Sequence, residues 1–166
     1  MKPIFLFLFV TLLFFSSCEY NPGVSEAFTK YRFKNGVTTI TIPGWVIGLA
    51  ANHGELEKSE RELLQSIDKV RVLVVENDDL NAGINLHREF STKINRKNDY
   101  EELMTVRDKN EDITIFGKMD GHLIHEMVIL VWGEDNALIY VRGEIDPKTL
   151  SGQLHKNQVN KFLSFR

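Results

Sequence analysis

The chain of 166 residues contains a single cysteine, Cys18, so an internal disulfide framework is excluded. Its longest apolar segment, Ile4–Phe15, has 12 residues, whereas a helix needs about 20 to cross the hydrocarbon layer, so no transmembrane helix is expected. The formal net charge is −3, which argues against nucleic acid as a partner and against docking onto an anionic membrane through a basic patch. Stability must therefore come from packing.

The N-terminal residues have the order of an export signal. Lys2 precedes the apolar segment, and the small residues Ser16 and Ser17 follow it directly before Cys18. This ending resembles the lipobox of bacterial lipoproteins, in which the cysteine is acylated and becomes the mature N-terminus. A plain secretory signal is the alternative.

These features predict three segments: a lipoprotein signal peptide at 1–17, a tether at 18–26 and a single domain at 27–166. The lipidated Cys18 would hold the domain on a membrane of the cell envelope, with the outer membrane preferred. At least two acyl chains are needed for stable anchoring, at about 0.8 kcal/mol per buried CH₂.

Residue patterns predict an α+β fold with a largely antiparallel sheet and helices packed on it. The order is β-α-β-α, then a four-strand meander and a C-terminal helix. Strands are expected at 37–42, 70–75, 103–106, 113–116, 123–132 and 137–141, and helices at 45–51 (buried), 55–67, 80–94 and from Asp146 onward, the last docked by Leu150, Leu154, Phe162 and Leu163.

Three details of this prediction can be checked separately. Met127–Val131 is apolar at every position, which indicates a central strand covered on both faces. Asp120-Gly121 predicts a hairpin. Asp78 or Asp79 is the expected N-cap of the helix at 80–94.

Several segments in a fixed order resemble a known family. The stretches are 99–106 with 113–116, and 34–38, 67–73 and 143–146 at matching places. Together they resemble an uncharacterised family of small envelope proteins typical of Bacteroidetes, catalogued as domain of unknown function 4252. The resemblance covers roughly 28–146. It implies a lipoprotein or secreted protein of unknown function, and no catalytic residue can be transferred from it.

Motifs that could carry chemistry fail on spacing or context. His122-Leu123-Ile124-His125-Glu126 reverses the zinc-protease order, and on a strand its two histidines should face opposite ways. The segment 108–112 begins like a calcium loop, but Ile113 stands where glycine is required. The acidic turn 76–79 is read as helix capping. Four serines lack a nucleophile motif: Ser59, Ser66, Ser91 and Ser151. No catalytic, cofactor-binding or metal site is therefore predicted.

Two functional hypotheses remain. The first is a non-catalytic envelope module that binds a protein, peptide or lipid partner through a face or edge of the sheet. The second is an envelope hydrolase whose site is assembled only in three dimensions, using His53 or His87 with a nearby acid. A concave pocket with converging histidine and carboxylate side chains would favour the second hypothesis.

Overall fold

The structure, a computed structural model, describes residues 22–76, 79, 81–97, 99–109, 111–133 and 136–150. The predicted signal peptide, the predicted lipidation site Cys18 and the predicted closing helix beyond residue 150 lie outside these residues.

Ten helices and strands follow one another along the described chain. In order they are α1 Pro22–Tyr31, β1 Val37–Pro43, α2 Gly44–His53, α3 Lys58–Gln65, β2 Ile67–Val75, α4 Leu86–Lys97, β3 Glu101–Arg107, β4 Asp112–Asp120, β5 Leu123–Trp132 and β6 Asn136–Ile145. Residues 147–150 are also helical.

The strands form one antiparallel sheet of six strands in the order β1-β2-β6-β5-β4-β3. The last four strands pair in sequence, which confirms the predicted meander and the α+β class. Asp120 pairs with Leu123 across a two-residue turn in which Gly121 has φ 60°, so the predicted hairpin is also confirmed.

The main core lies between one face of the sheet and the pair α1 and α4. Helix α4 packs across β4, β5 and β6, and α1 packs on α4. Phe90 and Ile94 of α4 are fully buried, because their spacing of four residues places both on one side of the helix. At the rim, Glu89 of α4 accepts hydrogen bonds from Lys30 (2.6 Å) and Tyr31 (2.5 Å), which join the two helices.

Strand β5 is central and buried on both faces, as predicted. It lies between β4 and β6. Val128 and Leu130 belong to the helix-side core, whereas Met127 and Val131 belong to apolar clusters on the other face. Leu63 of α3 and Leu150 pack on that second face. An apolar residue is therefore required at every position of this segment.

Helix α2 exists but is not the buried helix that its composition predicts. Of its residues only Ala51 is buried, and the side chain of Trp45 is 74% exposed. The prediction failed because an apolar composition indicates a preference for burial but not how much of a helix its neighbours cover, and the contacts of α2 with β1, β2 and α3 bury only Ala51.

Two predicted helices have different limits. Helix α3 is shorter than 55–67 because Glu57 and Glu60 form a capping box at its start, and Ile67 already belongs to β2. Helix α4 begins at Leu86 instead of residue 80, and its cap is Asn85, whose Oδ1 accepts from Arg88 N at 2.8 Å. The predicted cap at Asp78 or Asp79 is therefore wrong.

The folded part starts earlier than the predicted boundary at residue 27. Helix α1 begins at Pro22, and Val24 within it is 2% exposed. Val24 and Ala27 are part of the helix-side core, so residues from Pro22 onward belong to the domain and not to a tether.

Candidate functional site

The β1–β2 end of the sheet carries a row of polar side chains on the helix side. On β1, Thr39 and Thr41 are two residues apart and so share a face. In the register of the sheet, Thr39 pairs with Leu73, which is buried in the helix-side core, and Thr41 pairs with Arg71. Lys69 lies two residues before Arg71 and shares its face. The sheet pairing thus assembles hydroxyl and cationic groups from two distant segments.

The C-terminal end of α1 forms the opposite wall. Phe28 lies on α1 and Arg32 directly follows the helix. The guanidinium carbon of Arg71 lies 3.8 Å from the centre of the Phe28 ring, a cation–π contact. Between the walls is an open concavity of about 350 Å³, lined by Phe28, Arg32, Thr39, Thr41, Lys69 and Arg71. We call it the basic groove.

The charged side chains that line the basic groove are all positive. It contains three cationic side chains, and within the described chain none of them forms an ion pair with a carboxylate. Burial lowers the pKa of Arg71; the nearby Tyr140 opposes this shift and the positive charge of Arg32 adds to it. The mutual proximity of like charges is unfavourable unless an anion joins them. The groove therefore has the character of an anion-binding surface in a chain whose net charge is −3.

The lining residues suit binding better than catalysis. Guanidinium and ammonium groups with two hydroxyls can hold a carboxylate or phosphate through charge-assisted hydrogen bonds. A hydroxyl nucleophile would need a neighbouring base, and the lining residues include neither histidine nor carboxylate. Among the described residues that line the groove, there is thus no converging pair of histidine and acid such as would favour a hydrolase.

A hydrogen-bonded chain that resembles a catalytic arrangement begins at His87 and lies at the β3–β4 end of the sheet. His87 Nε2 lies 2.8 Å from Thr114 Oγ1, which lies 3.2 Å from Thr105 Oγ1, and Thr105 donates to Glu102 at 2.7 Å. Burial is the main cause that lowers the pKa of His87. However, Thr114 is only 3% exposed, so a substrate cannot reach its hydroxyl without opening the core. His53, the other candidate base, is exposed at the end of α2.

The two histidines of the H-x-x-H-E motif do not lie on one strand, contrary to the expectation from the sequence. His122 lies in the hairpin turn and not on a strand. His125 lies on β5 where the pairing with β6 shifts between Ile124 and Glu126, and its Nε2 is 3.7 Å from Asp120 Oδ2. Strand alternation therefore does not apply to this pair.

The described residues of the two remaining acidic segments make local hydrogen bonds. Asp108 N donates to Glu111 O at 2.9 Å, and Asp108 Oδ1 accepts from Lys109 N at 2.6 Å, so Asp108 and Glu111 close the connection between β3 and β4. Glu76 N donates to Gly36 O at the end of β2. Within the described ranges, no three His, Cys, Asp or Glu side chains gather as a metal site would require. In the same part of the chain, no helix has both the length and the apolar content needed to cross a membrane.

Sequence reasoning did not identify the basic groove. The available signal was alternation: Lys69 and Arg71 alternate with apolar residues, and Thr39 and Thr41 alternate with Thr38, Ile40 and Ile42. This pattern indicates that each strand has a polar face. It does not show that the two faces are adjacent or that α1 closes the groove.

Comparison with protein families assigns the chain to a family. The chain belongs to the family described as "Domain of unknown function (DUF4252)", whose model matches residues 31–152. This confirms the resemblance drawn from the residue patterns. The match includes every described strand and all groove residues except Phe28. No curated protein matches the chain, and no solved structure matches it.

Proposed function

We propose that this protein is a lipid-anchored, non-catalytic binding module of the cell envelope. Cys18 is the proposed anchor, because it directly follows the small residues of the export signal. The observation that supports the binding role is the basic groove, where two hydroxyls and three cations, none of them ion-paired among the described residues, converge beside an aromatic ring. The absence of a base among the lining residues supports binding over hydrolysis.

Anchoring is tested by fractionation of cells that express the full chain. Cys18→Ala removes the acylated side chain, so the protein should move from the membrane pellet to the soluble envelope fraction and lose incorporation of a palmitate analogue. Ser17→Ala retains the cysteine and serves as the matched control, which should stay in the pellet. Unchanged partitioning of Cys18→Ala would refute the anchor.

Binding through the groove is tested by photocrosslinking in intact cells. A photoreactive phenylalanine analogue at Thr41 lies inside the groove, whereas the same analogue at Lys109, in the β3–β4 turn, lies at the opposite end of the sheet. The Thr41 position should give discrete adducts that the Lys109 position does not. Adducts at both positions alike, or at neither, would contradict the proposed binding surface.

A further inference from the structure

The basic groove lies beside a free edge of the sheet. Strand β1 lies at one end of the strand order, and among the described strands it pairs with β2 alone. Alternate N–H and C=O groups along the outer side of such a strand have no partner in the sheet and can pair with another extended segment. Residues 38–41 of β1 are all exposed, so this edge is accessible.

The two edges of the sheet differ in how they are protected against added strands. The opposite edge strand, β3, carries Glu101, Glu102 and Arg107, and its pairing with β4 shifts between Glu102 and Met104. Charges and bulges of this kind hinder edge pairing. Strand β1 has neither a charge nor a bulge: its sequence is VTTITIP, and its register with β2 runs without a shift from Val37–Val75 to Pro43–Lys69. Proline also hinders edge pairing, but Pro43 is the last residue of β1, so residues 37–42 carry none of these protective features.

The side chains next to this edge define the segment that would fit. A strand added beside β1 lies about 4.8 Å from it, and every second side chain points to the helix side. On that side are Thr39 and Thr41, with Arg32, Lys69 and Arg71 within reach of a long acidic side chain. On the other side the exposed residues of β1 are Thr38 and Ile40, and the apolar Ile40 is 50% exposed. Charge complementarity selects Asp or Glu at alternate positions, with apolar residues between them.

We infer that β1 binds an extended acidic segment of a protein partner as a seventh strand, with its carboxylates in the basic groove. Main-chain hydrogen bonds to β1 would supply affinity, and the cations would supply specificity, as in other cases of strand addition to a sheet edge. This inference rests on the proposed function and names its ligand class.

The test uses the full acylated protein in neutral detergent and fluorescent seven-residue peptides. A peptide of alternating Glu and Val should bind, while one of alternating Lys and Val should not. Arg32→Gln and Lys69→Gln should each weaken binding about fivefold, the scale of one exposed ion pair. Arg107→Gln, at the opposite edge, is the matched control and should leave binding unchanged. Unfolding midpoints of the variants show whether each remains folded. Arg71 is left intact because it stacks on Phe28.

Backbone methylation of the peptide distinguishes strand addition from simple charge attraction. N-methyl groups at every second residue remove the N–H donors on one edge of the peptide. Methylation in one phase should abolish binding and methylation in the other phase should preserve it. Equal binding of both methylated peptides would overturn the inference, because a purely electrostatic contact does not depend on the phase.

Other occupants of the groove give different results. If inorganic phosphate or anionic phospholipid vesicles bind as tightly as the peptide and displace it, the groove is a simple anion site and the inference fails. If the protein self-associates in sedimentation and Glu101→Lys abolishes this, the β3 edge pairs despite its charges, a second copy is the occupant, and the inference of a separate protein partner fails. Adducts at Thr41 without peptide binding would leave the proposed function standing and refute only this inference.

Discussion

Asn136 holds helix α4 on the sheet, and its replacement by alanine should destabilise the protein strongly. It is the first residue of β6 and is 8% exposed. Its Oδ1 accepts a hydrogen bond from Leu86 N at 3.2 Å, and its Nδ2 donates to Ile84 O at 2.7 Å. Because Leu86 begins α4, its amide is one of the groups that a helix cannot pair internally.

The size of the destabilisation follows from the two main-chain groups, Leu86 N and Ile84 O, that lose their hydrogen-bond partner in Asn136→Ala. Both lie in the interior, and a buried donor or acceptor left unsatisfied costs about 1–3 kcal/mol. The expected loss is therefore about 2–6 kcal/mol of unfolding free energy, a large part of the roughly 5–15 kcal/mol typical of a domain. The loss should also loosen the start of α4, which packs on β4, β5 and β6.

Urea unfolding of the full chain, followed by tryptophan fluorescence, measures this loss. Asn52→Ala is the matched control, because Asn52 Oδ1 accepts a single exposed hydrogen bond from Gln65 Nε2 at 2.9 Å. The control should change the unfolding free energy by no more than about 0.5 kcal/mol. A loss below about 1 kcal/mol for Asn136→Ala would refute the assigned role, since one unsatisfied group alone should cost that much.

Three further predictions concern packing and pH. Val128→Asp places a charge at a fully buried position of β5 and should cost several kcal/mol, so a melting temperature equal to that of the parent would refute its central position. Gly143→Ala would put a Cβ 2.1 Å from a main-chain oxygen and should destabilise the protein by at least about 1–3 kcal/mol. In the control Gly48→Ala, the new Cβ meets no atom within 4 Å, so this variant should stabilise α2 by up to about 1 kcal/mol. Equal melting temperatures of the two variants would contradict the packing at Gly143. Burial lowers the pKa of His87 in the folded protein below its ordinary value of 6.5. The stability that His87 contributes is therefore fully present above pH 6.5. It is lost as the pH falls from 6.5 toward the lower pKa of the folded state, because the unfolded chain takes up the proton first. His87→Gln should therefore flatten the fall in unfolding free energy between about pH 7.5 and about pH 5, and an unchanged pH dependence in this variant would contradict the reasoning.

The strands and the pairing of the last four as a meander could be predicted from the sequence because the signals are local, whereas the pairing of β2 with β6 was not predicted. β-branched runs identify β1, and a fully apolar segment identifies β5 as central. The Asp120-Gly121 turn sets a two-residue hairpin. Each of these features depends on a few adjacent residues, so the meander follows directly from them.

Other features depend on tertiary contacts and could not be predicted. Asn85 and Asp79 are both good N-cap residues, and α4 begins after Asn85 because Asn136 pairs with Leu86 from the start of β6. Similarly, the apolar composition of α2 does not determine how much of it the sheet covers. For α4, the deciding hydrogen bond joins residues 50 positions apart in the chain.

The proposed anchor and the groove together restrict where a partner can be. Pro22 begins α1, and a chain from Cys18 to Pro22 spans at most about 14 Å when fully extended. Helix α1 has 10 residues and a length of about 15 Å, with Phe28 near its C-terminal end. If Cys18 is acylated as proposed, the groove lies within about 30 Å of the membrane surface, because these two lengths add at most end to end. The acidic segment must then be presented close to the membrane, which favours an envelope protein that is itself membrane-associated over one that diffuses freely.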